Sequence, residues 1–217
     1  MTNGGEMKVF DLFSGTGSAT QAFKDASHKV HSFELDTYFQ ADENVDVFDL
    51  TVDYLREVYG QPDFVWASPP CTAFSVASIG HHWGINANNH FPKTQAAIES
   101  QELVAHTRSL LEGLNPTFGF LIENPRGMLR KLPVVAGLQR QTVTYCQYGD
   151  SRMKPTDLWG VVPNWTPRPM CKNGAPCHEA APRGSKTGTQ GLKGSKERSR
   201  VPYALGVELL EAMTGER

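Results

Sequence analysis

Four groups of residues have the types and spacing that chemistry requires. Cys71 follows Ser68-Pro69-Pro70 at the end of an apolar run from Asp63 to Ala67. The two prolines stiffen the exit from that run and leave one thiol at its edge. A lone cysteine is ordinarily a small buried hydrophobe. Behind a rigid turn at the ligand edge of a sheet it is a candidate nucleophile, which must be thiolate-like to attack. Glu123 is similarly placed, ending Phe120-Leu121-Ile122 and preceding Asn124-Pro125. Alone, it also reads as a helix-start carboxylate satisfied by backbone N–H groups. The turn Asp11-Leu12-Phe13-Ser14-Gly15-Thr16-Gly17 joins a strand to a helix with a Gly-x-Gly step, which lets the backbone approach a cofactor closely. The third glycine of the dinucleotide fingerprint is missing, so an ordinary glycine turn fits as well. Glu34 lies 19 residues past Gly15, near the spacing at which a carboxylate grips a ribose, and Asp49 follows at the end of a third segment. Finally, Cys171, Cys177 and His178 place three soft or borderline ligands within eight residues. They suggest a structural zinc, with Cys146 as the fourth ligand. Two unpaired thiols and a surface histidine are the alternative.

These groups need a scaffold that brings strand ends together. Met7–Phe13, Lys29–Glu34, Val45–Phe48, Asp63–Ala67 and Thr117–Ile122 read as strands, with helical patterns over Ala19–Ala26, Val52–Tyr59 and Thr94–Leu114. That alternation predicts βαβ units and a parallel sheet. Residues 71–92 read as a loop. Gln141–Cys146 and Asp157–Val162 read as later strands, and Pro202–Met213 as a closing helix. Residues 163–200 are rich in Pro, Gly, Ser, Lys and Arg without apolar periodicity. A segment of that length is usually functional, metal-clamped or mobile.

In their order, the Asp11–Gly17 turn, Phe33-Glu34-Leu35-Asp36, Pro69-Pro70-Cys71 and Glu123-Asn124-Pro125 resemble the cytosine-C5 DNA methyltransferases. The likeness runs from about Met7 to Arg126 and resumes weakly at Tyr148-Gly149 and in the last helix. The combination is specific where no single piece is. The family's usual enzymes are longer, so the chain is similar to a compact, phage-type member. The resemblance implies an α/β, Rossmann-like sheet with helices on both faces, plus a small irregular C-terminal insertion. Residues 1–162 and 201–217 would form the catalytic domain, and 163–200 a reduced target-recognition region. It implies S-adenosylmethionine as methyl donor and double-stranded DNA as partner. Cys71 would add to cytosine C6, and Glu123 would hold N3 and the exocyclic amine of a base flipped out of the stack. The donor's ribose would fall to Glu34, its adenine amine to Asp49, and its methionine end to Phe13, Ser14, Gly15, Thr16 and Gly17. Asp11, Leu35 and Pro69 complete its surroundings. The loop after Cys71 would be a lid, with no catalytic role for His81 or His82. The family's Gln-x-Arg-x-Arg strand is replaced by Gly149–Thr156, in which Arg152 and Lys154 alternate onto one face of an extended segment and take over the bracing of Glu123. Asn124-Pro125 replaces the usual Asn-Val, and the long target-recognition domain is absent.

Composition bounds the remaining readings. The 217 residues are 39% hydrophobic and 20% charged, an ordinary globular composition for one domain. No stretch approaches the roughly 20 apolar residues of a membrane span. The start, Met1–Glu6, has neither a charged nor an apolar leader region, so a reducing cytoplasm is expected, and the resemblance to a phage-type member implies that of a bacterial or phage-infected cell. Four cysteines are too few for a disulfide framework. The net charge of -2 divides into -9 over residues 1–121 (6 basic, 15 acidic) and +7 over residues 122–217 (15 basic, 8 acidic). Arg183–Arg200 holds six Lys/Arg and one Glu, a pattern that contacts phosphates rather than bases. Two other readings stay open: an exocyclic-amine methyltransferase, whose motif also begins Ser-Pro-Pro, and a catalytically silent DNA-binding module. RNA as substrate is open too.

Overall fold

A computed structural model describes residues 5–87, 89–180 and 194–215. The chain runs β1 (Lys8–Leu12), α1 (Gln21–Asp25), β2 (Lys29–Glu34), β3 (Glu43–Asn44), α2 (Val52–Tyr59), β4 (Phe64–Ala67), α3 (Ile79–His82), β5 (Trp83–Asn86), β6 (Asn89–Pro92), α4 (Gln95–Leu114), β7 (Phe120–Pro125), β8 (Arg140–Thr144), β9 (Pro155–Gly160), α5 (Ser195–Ser199) and α6 (Tyr203–Thr214). Seven strands form one sheet in the order β3-β2-β1-β4-β7-β9-β8. The first five are parallel, and β9 runs antiparallel between β7 and β8.

Both faces of the sheet are covered, which is why β1 and β4 are nearly continuous apolar runs rather than alternating ones. Successive side chains still point to opposite faces and enter separate cores. Phe10, Leu12, Val65 and Ile122 pack with Leu55 of α2 and Val104 and Leu111 of α4. Val9, Phe64, Trp66 and Leu121 pack with Phe23 of α1 and Leu205 and Leu209 of α6. Helix starts follow local chemistry. Thr51 Oγ1 accepts from the Tyr54 N–H ahead of α2, and Thr94 Oγ1 accepts from the Ala97 N–H ahead of α4. Among the described residues no helix is long and apolar enough to cross a membrane.

Three expectations need correction. The third strand is not Val45–Phe48 but the two-residue β3, followed by a 3-10 turn over Val47–Asp49. There the Asp46 carboxylate accepts the Phe48 N–H and diverts the chain into a turn. Residues 71–92 are not simply a loop, for they contain α3 and the β5–β6 hairpin. The organiser is Trp83, which is buried, stacks on Phe74 at 6.0 Å and donates its indole N–H to Ala73 O. Third, the segment carrying Arg152 and Lys154 precedes the last strand rather than being part of one, since β9 begins only at Pro155. Of the irregular region, residues 163–180 contain no helix or strand and α5 lies at 195–199. Residues 181–193, including much of the basic run, lie outside the described residues.

The loop after Cys71 is fastened where Met128 N–H donates to Phe74 O at 2.8 Å. A Cβ on neighbouring Gly127 would sit 2.2 Å from that carbonyl oxygen. Gly127→Ala is therefore expected to lower stability by about 1–3 kcal/mol, read from the denaturant midpoint at unchanged slope.

Candidate active site

The strand order reverses between β1 and β4, the position at which open α/β sheets bind ligands outside the carboxyl ends of their strands. Ser68 N–H donates to Leu12 O at 3.1 Å, so the two exits stay side by side. After β1 the chain turns sharply. Phe13, Gly15 and Gly17 have φ of 59°, 48° and 68°, and no atom lies within 4 Å of the place where a Cβ on either glycine would point. Phe13 adopts the left-handed region without glycine's freedom, a conformation that persists only where its surroundings impose it. A cleft of about 380 Å³ opens beside the turn, with Ser14, Gly15, Thr16 and Gly17 on one wall and Tyr38 and Lys196 on another.

The acids expected around the donor fall at this edge in different states. Glu34 accepts from the Gly15 N–H at 2.9 Å and the Asp36 N–H at 3.0 Å, one on each oxygen. Each carboxylate oxygen keeps a lone pair for a further donor. Leu35 and Asp49 are exposed, whereas Pro69 is buried. Asp11 is buried beneath the turn. Thr20 Oγ1 donates to its Oδ2 at 2.7 Å, while Oδ1 has no hydrogen-bond partner. Burial pushes its pKa up to about 7, against the lowering effect of the Thr20 hydrogen bond. A buried carboxylate with one orphaned oxygen beside a glycine turn suits the cationic end of an amino-acid-bearing cofactor.

Glu123 and Cys71 come together from adjacent strands. β4 pairs with β7 so that Ala67 faces Ile122, and the exits that follow are joined by Asn124 Nδ2 donating to Pro69 O at 2.9 Å. That buried amide holds the Pro69-Pro70-Cys71 turn against the Glu123 strand. Glu123 is itself buried and accepts the Tyr145 hydroxyl on Oε1 at 2.9 Å. Lys154 Nζ stands 4.0 Å from the same oxygen, 4.5 Å from the centre of the Tyr145 ring and 3.1 Å from Arg198 O, to which it donates. Burial lowers the Lys154 pKa, although Glu123 works the other way. The Cys71 thiol is pushed up, first by burial and then by the negative charge of Glu123, with Lys154 opposing. The protein at rest therefore holds Cys71 as a thiol.

Arg152 is placed differently from the sequence expectation. Its Nε donates to Asp150 Oδ1 at 2.8 Å and its Nη1 to the carbonyls of Glu197 and Arg198 at 3.1 and 3.2 Å. It braces the 194–200 segment rather than the acid, and Lys154 alone reaches Glu123. The two do not share a strand face, because Lys154 has φ of 24° and the strand starts after it. Sequence reasoning missed Tyr145. It follows β8, whose place at the sheet edge depends on antiparallel pairing with β9, and no local pattern shows which strand end it will meet. The four predicted metal ligands do converge: one donor atom each from Cys146, Cys171, Cys177 and His178 lie within 4.8 Å of one another. Cys146 sits in the 3-10 turn after β8 rather than on the strand itself.

Among solved structures, the Entamoeba histolytica methyltransferase EhMeth matches with a TM-score of 0.53 at 13% identity, over 75% of this chain and 55% of that one. The present chain thus spans little more than half of that structure, and the likeness is one of fold. Fold and strand order define a Rossmann-like α/β sheet of the kind that structure contains. Residues 7–133 match the C-5 cytosine-specific DNA methylase family. Over 219 residues the chain is 30% identical to the Frog virus 3 (isolate Goorha) protein named "Probable DNA (cytosine-5)-methyltransferase", covering 94% of this chain and 99% of that protein. The chain belongs to the C-5 cytosine-specific DNA methylase family, and is an S-adenosylmethionine-dependent enzyme of the cytosine-5 DNA methyltransferase type.

Tyr145→Phe removes the hydroxyl from Glu123 Oε1 and leaves the rest of the ring in place. A loss of roughly 1–3 kcal/mol is expected, divided between folding stability and turnover, as for a buried charged acceptor deprived of a donor. Parallel denaturation and steady-state kinetics on the variant measure the two parts.

Proposed function

We propose that the enzyme methylates cytosine C5 in double-stranded DNA through a transient bond between Cys71 Sγ and C6 of a flipped-out base. The observation that carries this reading is the Asn124–Pro69 hydrogen bond, which fixes the thiol-bearing turn beside the strand that ends in a buried acid. Cytosine C5 is a poor nucleophile. Addition of a thiolate to C6 makes the ring enamine-like, and C5 can then accept a methyl group. A base then takes the C5 proton, and the C6–S bond breaks to return the thiolate and the C5–C6 double bond.

Glu123 acts at N3 and the exocyclic amine. A proton shared between its carboxyl and N3 neutralises charge that builds on the ring. In net terms the proton that Cys71 gives up is the one taken up by the Glu123–N3 pair, and the negative charge that opposes the thiolate is removed as the thiolate forms. Tyr145 fixes the direction of the carboxyl, and the Lys154 ammonium limits the cost of its negative form. The donor, when bound, supplies an electrophilic methyl group. Its ribose hydroxyls would be held by Glu34 and its adenine amine by Asp49, with Leu35 and Pro69 alongside. The methionine end would lie against the Phe13–Gly17 turn, its ammonium on the orphaned Asp11 Oδ1. Residues 194–200 cross near this edge, and the Arg198 charge acts on Cys71. That position suits contact with phosphates flanking a target base.

Two measurements test the reading. A random-sequence duplex containing 5-fluorocytosine should become covalently attached to the cofactor-loaded enzyme, because fluorine cannot leave as a proton does. Cys71→Ser should abolish both attachment and methylation; methylation that survives in this variant would exclude the covalent route. For Asp11, pairing with an ammonium requires the ionised form. Affinity for S-adenosylmethionine should therefore rise as the pH is raised through about 7, where this carboxyl ionises, and level above it; Asp11→Asn should weaken binding and flatten that dependence, read by calorimetry.

A further inference from the structure

Beyond β9, residues 163–180 run without helix or strand, yet they are pinned to the chain around the β8–β9 connection. Cys171 N–H donates to Thr144 Oγ1 at 2.8 Å, Arg168 N–H to the Tyr148 hydroxyl at 2.9 Å, and Glu179 N–H to Ser151 O at 2.8 Å. Between these anchors a turn closes at Lys172–Ala175, with Gly174 at φ of 85°, and brings Cys177 back to Cys171. Left-handed backbone of this kind is open to glycine at little cost.

The donor atoms that meet there have the dimensions of a coordination shell. Cys171 Sγ and Cys177 Sγ are 3.1 Å apart, and Cys177 Sγ and Cys146 Sγ are 3.7 Å apart. His178 Nδ1 is 3.4 Å from Cys171 Sγ and 3.7 Å from Cys177 Sγ. A tetrahedral ion with metal–sulfur bonds of about 2.3 Å and metal–nitrogen bonds of about 2.0 Å sets edges of roughly 3.8 Å between sulfurs and roughly 3.5 Å between sulfur and nitrogen. A disulfide between Cys171 and Cys177 would account for one of these contacts. It would leave the convergence of Cys146 and His178 on the same point unexplained.

We propose that Cys146, Cys171, Cys177 and His178, through Nδ1, bind one zinc ion. Three thiolates and an imidazole in tetrahedral disposition select zinc among the common divalent ions, and hard oxygen-seeking cations are excluded by the donor set. Four protein ligands leave no open position, so the ion is structural and takes no part in methyl transfer. It joins the irregular 163–180 segment to the 3-10 turn after β8. That turn begins with Tyr145, whose hydroxyl rests on Glu123. The zinc thus fastens the irregular 163–180 segment to the turn that carries Tyr145. This inference stands on the cluster alone and does not depend on the covalent mechanism.

The test is elemental analysis of tag-free protein purified under reducing conditions, followed by cobalt substitution. One zinc per chain is expected. The cobalt form should show the visible bands of a tetrahedral ion together with thiolate-to-metal charge transfer. His178→Ala should lose metal during dialysis, and His178→Cys should retain it as a four-thiolate site. Reduced, folded protein that carries substoichiometric zinc and develops no tetrahedral cobalt spectrum overturns the proposal. So does a native Cys171–Cys177 disulfide found by mass spectrometry of the protein purified without reductant.

Discussion

Everything in the catalytic edge depends on the parallel pairing of β1, β4 and β7 as immediate neighbours. Adjacent strands lie about 4.8 Å apart, so three chain exits in succession occupy a space the size of a nucleoside. The glycine turn and Asp11 come from the first, the Pro69-Pro70-Cys71 turn from the second, and Glu123-Asn124 from the third. The three segments lie more than 50 residues apart in sequence. Their order across the sheet places the glycine turn on one side of the thiol and the acid on the other.

The chemistry of that edge is a balance among buried charges. Glu123, Lys154 and Tyr145 sit within hydrogen-bond or ion-pair reach of each other, and Cys71 feels both the acid and the ammonium. Desolvation penalises the charged forms of Cys71, Lys154 and Tyr145, and the charge of Glu123 acts on all three. Lysine rather than arginine at this position matters physically. An ammonium is a compact point charge with no planar fork, and it can lie over the Tyr145 ring while facing the carboxylate. Arg152 is then free to pair with Asp150 and hold the returning basic segment.

Much of this was legible in the sequence, for reasons that differ by residue. Strands β1, β2 and β4 and helix α4 stand out because apolar runs and helical periodicity report burial directly. Cys71, Glu123 and the glycine turn stand out because motif residues cluster at strand ends. The convergence of Cys146 with Cys171, Cys177 and His178 followed from ligand chemistry alone, with no pattern to indicate the turn. What the sequence concealed is long-range geometry. Tyr145 meets Glu123 only because β9 inserts antiparallel between β7 and β8, and local propensity does not encode strand order. The β5–β6 hairpin was hidden because its organising contact, Trp83 on Phe74, lies across a loop.

The sheet separates two apolar cores that share no side chains, one beneath α2 and α4 and the other beneath α1 and α6. Energetic effects of substitutions add when the sites have no common partners. The two halves of the interior are therefore independent units for evolution and for engineering. Repacking around α4 can raise heat tolerance without disturbing the face that carries Asp11, Tyr145 and Glu123, and adaptation of that second face can proceed on a backbone stabilised from the first.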